Sequence, residues 1–262
     1  MGKVPTGGEP AAPPTGAQSI RRAVAIMRAI AAAGTSGARL TDLAAEIGLH
    51  VATAHRLLGA LAREGLVEQD PASKLYRFGP GLFSLSAAAR RPLSIQEHFR
   101  SALVRLAEET EDTVYLSIRS GAEAICLARK EGAFPIRTLT LEVGSRRPLG
   151  VGAGSLALLA FLPDDEVERV IRTNGRAYTA FGVRSEDIRA FVATSRRLGY
   201  ALNDDRILRG MSAVGLPART IAGRVVAAVS VAAINARMRP PRREWIVERV
   251  RAEVDRLTPL PE

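Results

Sequence analysis

The amino-acid sequence predicts an α+β protein of two domains: a small helical domain, then a larger domain with a largely antiparallel sheet. Three observations lead to this prediction. Near the N-terminus, two short amphipathic helices separated by Gly48 precede a short hairpin. From Thr113 onward, segments with strand periodicity alternate with helical blocks. A length of 262 residues is also sufficient for two hydrophobic cores.

The segment from Leu40 to Gln69 predicts two helices joined by a tight turn. Thr41 is a candidate N-cap of the first helix, and Gly48 ends it because glycine accepts the left-handed conformation. The second helix extends from about Val51 to Glu64, and its buried face carries Ala54, Leu57, Leu58 and Leu61. Its outward face is narrow and free of acid until its end, with Ala52, His55, Arg56, Gly59, Ala60 and Arg63. A helix that enters the DNA major groove needs such a face, so the pair predicts a helix-turn-helix.

A two-stranded wing is expected directly after the second helix. Residues 66–69 and 74–78 suit paired strands, and residues 70–73 suit the turn between them. Lys74 and Arg77 would then lie near the phosphate backbone. Upstream, Ser19 is a candidate cap of a third helix, whose apolar positions are Ile20, Ala23, Val24, Met27, Ile30 and Ala31. Three helices and a wing in this order predict DNA binding; the alternative is a helical bundle with a hairpin that binds protein or nothing.

Composition bounds the function only loosely. The net charge of +10 favours an anionic partner, but residues 18–78 hold eight basic and five acidic side chains, so much of the excess lies elsewhere. The single cysteine, Cys126, excludes an internal disulfide and a cysteine-based zinc cluster. No histidine follows His98, which argues against a Ser-His-Asp triad or a histidine metal site in the second domain. We expect no catalytic residue, cofactor or metal, no membrane association, and a cytoplasmic location.

The organisation along the chain follows from composition and periodicity. Residues 1–17 are rich in Pro, Gly and Ala and predict a disordered tail, followed by the winged module over 18–79. A connecting helix is expected within 80–93, stopped near Pro92, and a second domain over 94–262, opened by a capping box of Ser94 and Glu97. In that domain we expect strands at 113–119, 123–132, 135–144, 199–202, 211–219 and 224–234, and helices at 151–172, at 185–198 and around Ile246, Val250, Val254 and Leu257.

Two features of the second domain are candidate ligand sites. The glycine-rich segment 148–155 opens an apolar helix, where free N–H groups and the helix dipole favour a carboxylate; alternatively, the glycines only allow tight packing. The strand 225–234 presents Ser230 among small apolar residues, which leaves a concavity that either a ligand or a covering helix fills. The Asn203–Asp205 segment either supplies polar groups at the rim of such a pocket or forms a solvated loop.

From about Gln18 to Leu257, the chain resembles the IclR-type bacterial transcriptional regulators. In the first domain the resemblance rests on LTDLAAEIGL, on the T-x-H-R-L-L run at 53–58, and on REGLVEQD followed by K-x-Y-R-F-G. In the second domain it rests on GSRRPLGVGAGSLALLA, RRLGYALNDD and GRVVAAVSVAAINARM. Each motif alone is weak, but their order and spacing together are specific.

The resemblance implies a winged helix-turn-helix joined by a connecting helix to a GAF-like effector domain. It also implies a homodimer or tetramer that binds a pseudo-palindromic operator in double-stranded DNA and responds to a small organic effector. We expect DNA contacts from Ala52, Thr53, His55, Arg56, Arg63, Lys74 and Arg77. We expect effector contacts from Ala153, Gly154, Asn203, Ala213, Ser230 and Ala232.

The sequence departs from the family pattern at several pocket positions. The family often has a histidine, a carboxylate, a cysteine and a second serine where this chain has Gly150, Asn203, Ala213 and Ala232. A pocket more apolar than in regulators of small keto acids follows, which suggests a larger, partly apolar effector such as an aromatic or partly apolar acid. Two alternatives remain open: an architectural DNA-binding protein without ligand response, and an enzyme that carries a DNA-binding appendage.

Overall fold

The computed structural model of the protein describes residues 15–88, 90–258 and 260. The chain divides into two compact units between residues 89 and 90, four residues before the start predicted for the second domain. Each unit has its own hydrophobic core. No helix in the described part of the chain is long and apolar enough to cross a membrane.

The first unit is a winged helix-turn-helix, as predicted. Its elements are α1 (Thr15–Ala32), α2 (Leu40–Glu46), α3 (Val51–Arg63), β1 (Val67–Gln69), β2 (Tyr76–Phe78) and α4 (Pro80–Ala87). The two strands are antiparallel, with Val67 opposite Phe78 and Gln69 opposite Tyr76. Val67 and Tyr76 are buried with Leu43 and Leu58, so the wing is packed on the helices through one face.

The prediction for α1 was wrong in its start and in its buried face. The helix already includes Thr15, so Ser19 lies inside it and is not its cap; residues 1–14 of the predicted tail lie outside the described residues. Ile20 and Val24 are 68% and 40% exposed, whereas Ile26 and Ile30 are buried. The helix has more apolar residues than one face holds, and periodicity does not tell which set is covered. In α2 the N-cap is Arg39 and not Thr41.

The second unit is built on a six-stranded antiparallel sheet in the order β5-β4-β3-β8-β7-β6. The strands are β3 (Thr113–Ser120), β4 (Glu123–Lys130), β5 (Arg146–Pro148), β6 (Ala201–Asp204), β7 (Met211–Arg219) and β8 (Val225–Ile234). The helices are α5 (Arg90–Thr110), α6 (Ala153–Ala160), α7 (Asp164–Thr179), α8 (Ser185–Leu198) and α9 (Arg242–Leu257). This arrangement confirms the predicted α+β class.

Helices cover both faces of the sheet. On one face α5 and α9 pack with Val229 and Val231 of β8. On the other face α6, α7 and α8 form a second cluster that includes Ala228 of the same strand. The alternation along β8 follows from the strand period of two and leaves Ser230 on the α6 side.

Three element predictions in the second unit were wrong. The helix α5 begins at Arg90, so Ser94 lies inside it and does not open a capping box. Pro92 fits its first turn, where the missing N–H has no helical partner to lose. The predicted helix over 151–172 is two helices, interrupted before Pro163, which is the N-cap of α7.

The third error concerns residues 135–144, which alternate like a strand but form a loop. The edge position beside β4 is taken instead by Arg146–Pro148. In the loop, the Thr138 hydroxyl donates to the carbonyl of Ala232, so this segment is held on the sheet by a side chain rather than by a ladder. Asn203 and Asp204 belong to β6 and not to a solvated loop, which was one of the two alternatives for this segment.

The start of α6 lies directly against β7 at Gly215. A β-carbon at Gly215 would lie 2.6 Å from the carbonyl oxygen of Ala153 and 3.2 Å from the nitrogen of Gly154. Only a glycine leaves room for this contact between two backbones.

We expect Gly215→Ala to destabilise the second unit by about 1–3 kcal/mol, because the new methyl group meets backbone and not a flexible side chain. Urea denaturation followed by circular dichroism measures the change. Gly175→Ala in α7 is the control, since its β-carbon would have only an ordinary contact of 3.8 Å with Ser185. Unchanged stability of Gly215→Ala would show that α6 is not fixed by this contact.

Candidate functional site

The outward face of α3 is the candidate DNA interface. The turn before it passes through Gly48 at φ +66°, and the N–H of Leu49 closes the end of α2 on the carbonyl of Ala44 at 2.9 Å. Ala54, Leu58 and Leu61 fix the helix on the core. The helix is therefore presented with its opposite face to solvent.

The predicted contact residues of α3 occupy this outward face. Ala52, His55, Arg56 and Arg63 are exposed, and Thr53 is half-buried at the helix start. Among the described residues, no carboxylate forms an ion pair with Arg56 or Arg63. Both guanidinium groups are thus available to an external anion or base edge.

The turn of the wing is organised by one carboxylate. Asp70 Oδ1 accepts hydrogen bonds from the N–H of Ala72 at 3.1 Å, from the N–H of Ser73 at 2.6 Å and from the Ser73 hydroxyl at 2.7 Å. The hydrogen bonds from Ser73 hold the pKa of Asp70 below its ordinary value of 3.8. Lys74 and Arg77 are exposed on this hairpin.

The second candidate site is a cavity between the sheet and the start of α6. Its lining brings together all six residues that the sequence analysis selected for effector contact: Ala153, Gly154, Asn203, Ala213, Ser230 and Ala232. The space open to the centres of water-sized molecules is about 50 Å³. By this measure one water needs about 10–15 Å³, so the cavity has room for more than one water-sized group.

Backbone geometry beside this cavity explains why Gly150 stands where the family often has a histidine. Gly150 has φ +102°, and a β-carbon there would lie 2.9 Å from Cγ2 of Ile188, so a histidine does not fit. The Ser155 hydroxyl donates to the carbonyl of Pro148 at 2.8 Å and accepts from the N–H of Gly150 at 3.0 Å. Ser155 therefore fastens the segment that precedes α6.

The lining includes polar side chains that were not among the predicted contacts. Sequence analysis missed Ser117 on β3, Thr140 on the loop and Arg147 on β5, all of which line the cavity. The sequence contains one signal that could have identified Arg147: two adjacent arginines, Arg146 and Arg147, lie on one strand. Neighbouring strand residues point to opposite faces, so one arginine of the pair must face the sheet's α6 side.

Two titratable groups of the cavity are poorly suited to chemistry. Burial raises the pKa of the Cys126 thiol to about 11, so it stays protonated at neutral pH. Burial also raises the pKa of Tyr115, whose hydroxyl donates to the carbonyl of Thr138. In the described part of the chain, no cluster of His, Cys, Asp and Glu is arranged to hold a metal ion.

A wider cleft of about 890 Å³ lies at the opposite end of the sheet, near the turn before β8. Its charged groups include Arg119 and Glu166, which form an ion pair at 2.6 Å. That pairing satisfies both charges within the protein.

Comparison with known domain families identifies both units. Residues 19–71 match the IclR helix-turn-helix domain, and residues 87–258 match the family described as bacterial transcriptional regulator IclR C-terminal. The chain belongs to the IclR family. The winged module and the cavity are accordingly parts of an IclR-type transcriptional regulator, in which a DNA-binding domain precedes an effector-binding domain.

Individual IclR-family proteins are similar to this chain along most of its length. The HTH-type transcriptional regulator XynR of Escherichia coli is 27% identical over 225 residues, which cover 84% of this chain and 88% of XynR. The crystal structure of an IclR regulator from Alicyclobacillus acidocaldarius superposes with a TM-score of 0.74 at 24% identity, covering 92% and 97% of the two chains. An IclR homologue from Microbacterium hydrocarbonoxydans, crystallised with 4-hydroxybenzoate, has a TM-score of 0.72 at 20% identity and coverages of 91% and 97%.

In this IclR-family wing, we expect Asp70→Ala to speed hydrogen exchange of the Ser73 amide, because its acceptor is lost. In the wild-type protein the folded pKa lies below the unfolded value, so protection persists above pH 3.8 and disappears as pH falls through the lower folded pKa. Amide exchange measured by NMR tests both statements. Asp42→Ala on α2 is the control; protection lost well above pH 3.8 would contradict the assigned role of Asp70.

Proposed function

We propose that α3 reads a pseudo-palindromic operator and that a small organic effector in the cavity beside α6 changes the affinity for it. Ala52, Thr53, His55 and Arg56 would approach base edges, while Arg63, Lys74 and Arg77 would hold phosphates. The observation that carries the proposal is the outward face of α3, with cations that no carboxylate of the described chain neutralises. A guanidinium in that position can bind guanine through two hydrogen bonds.

The proposed effector contacts are the cavity-lining residues Ala153, Gly154, Asn203, Ala213, Ser230 and Ala232. An effector changes an equilibrium only through different affinities for two states. We infer that the protein acts as a homodimer or tetramer, because a two-fold protein matches a two-fold operator. The effector would then alter the relative placement of the recognition helices of two protomers in the cytoplasm, where the operator is.

The chemistry of the cavity supports a regulator over an enzyme. Cys126 is protonated at neutral pH. The raised pKa of Tyr115 keeps its hydroxyl protonated as well, so it is a poor general base. An architectural DNA-binding protein would need no cavity lined with hydroxyl groups. Neither rival has an observation in its favour.

Arg56→Ala should reduce the discrimination between operator and random DNA by about 1–3 kcal/mol, because a base contact is lost. Lys74→Ala should weaken binding to both DNAs equally and lower the salt slope by about one, because a phosphate contact is lost. Fluorescence anisotropy across a salt series measures both quantities. Equal losses on both DNAs for Arg56→Ala would refute base reading by this residue.

Ser230→Leu should abolish the effector response and leave operator affinity unchanged. The larger side chain would fill the space beside Gly154, because the hydroxyl already lies 3.0 Å from where a β-carbon on Gly154 would be. The assay is operator release by a panel of small carboxylic acids. Ser101→Leu, at an exposed position of α5, is the control for added apolar bulk. A normal response in Ser230→Leu would place the effector elsewhere, with the wide cleft near Arg119 as the next candidate.

A further inference from the structure

Arg147 is a cation of the effector cavity without an anionic partner. Its neighbour Arg146 forms an ion pair with Glu123 at 2.7 Å and donates to Ser120 at 3.2 Å. Arg147 instead lines the cavity, and among the described residues no carboxylate forms an ion pair with it. In the described part of the chain its one acceptor is the carbonyl of Thr140, at 2.5 Å from Nη2.

Half-burial of the Arg147 guanidinium costs electrostatic free energy, because the charge is partly removed from water. Burial lowers the pKa of Arg147, which shows that its surroundings disfavour the charged form. An arginine nevertheless stays protonated in proteins, so the charge persists without compensation. A buried charge of this kind is stabilised by an anion that enters the site and forms charge-assisted hydrogen bonds.

Other donors without partners surround the same space. The hydroxyls of Ser117 and Ser230 belong to side chains that are only 3% and 5% exposed, and neither has a hydrogen-bond partner among the described residues. Ser230 Oγ and Ser117 Oγ lie 3.0 and 3.5 Å from the position of a β-carbon on Gly154. Both therefore point at the start of α6.

The first turn of α6 adds backbone donors. Its first helical hydrogen bond is Leu156 N–H to Gly152 O at 2.8 Å, so the N–H groups of Ala153 and Gly154 have no acceptor in the described structure. Nη1 of Arg147 lies 3.4 Å from the position of a β-carbon on Gly152, at this same helix start. A guanidinium, two hydroxyls and free N–H groups thus surround one space, a donor set that suits a carboxylate.

We propose that Arg147, which is not among the predicted contacts, is the counter-charge by which this cavity selects an acid over neutral molecules of the same shape. This inference specifies the ligand of the proposed regulatory site and therefore rests on that proposed function. The lining also holds apolar side chains, Leu141, Ile207, Met211, Ala213 and Ala232, beside further polar ones such as Asn203 and Ser212. The acid consequently carries an apolar part, aromatic or aliphatic.

The test uses full-length protein and three acid–amide pairs: benzoate with benzamide, 4-hydroxybenzoate with 4-hydroxybenzamide, and butyrate with butyramide. Isothermal titration calorimetry should show binding of at least one acid and at least about tenfold weaker binding of its amide. Arg147→Gln should lose the preference for the acid, because it removes the charge and keeps a polar side chain. Arg147→Lys should keep part of the preference because it keeps the charge.

The matched control is Arg146→Gln, which removes the same charge from the next residue of the strand and should leave acid binding unchanged. If Arg147→Gln keeps the wild-type preference for the acid, or weakens binding of acid and amide equally because Arg147 only fastens the loop through Thr140, the inference is wrong. Binding of no acid, or of acids and amides alike, also overturns it.

Operator anisotropy measured with the same compounds separates the two proposals. Acid binding that depends on Arg147 but does not change operator affinity would support the carboxylate site and contradict the proposed regulation. Operator release by an acid that persists in Arg147→Gln would support regulation and contradict the role of Arg147.

Discussion

The close approach of α6 to strand β7 determines how the effector domain can work. At Gly215 the two backbones touch, and no other residue type leaves the carbonyl of Ala153 its place. Ala228 of the neighbouring strand β8 packs in the same cluster as α6, while Ala232 lines the cavity. The cavity lies between this surface of the sheet and the first turn of α6, whose first N–H groups have no acceptor in the described structure. Its donors are consequently held by the sheet and by a helix, both of which are rigid supports.

The loop before β5 closes the cavity from a different direction. Thr138 is bonded to β8 through its side chain, Tyr115 of β3 contacts the backbone of the same loop, and Arg147 donates to Thr140. A ligand that competes for the guanidinium changes one of these three attachments. The loop also exposes apolar side chains, Ile136 and Val143 at 56% and 60%. A binding event at Arg147 therefore acts on the attachment of this loop to the sheet.

Sequence reasoning succeeded where local pattern decides the structure. The bounds of α3, the wing and strands β7 and β8 follow from periodicity and from glycine and proline positions, and the structure agrees with them to within about two residues. Sequence reasoning failed where long-range packing decides the structure. Residues 135–144 alternate like a strand, but the place beside β4 belongs to Arg146–Pro148. Ile20 and Val24 follow helical spacing and are nevertheless exposed. The role of Arg147 depends on the register that pairs it with Ala124, since a shift by one residue would turn Arg146 toward the cavity instead.

The most direct test of the account is a selection of protein-bound fragments from sheared DNA of the host genome, at low and at high salt, followed by sequencing. A regulator that reads bases should enrich a few fragments that share a pseudo-palindrome, and the enrichment should sharpen as salt suppresses phosphate-driven binding. Addition of an acid that binds the cavity should change the recovery of those fragments alone. Uniform recovery at low salt that collapses at high salt would contradict the account, because it would mean that the basic charge binds DNA without reading its sequence.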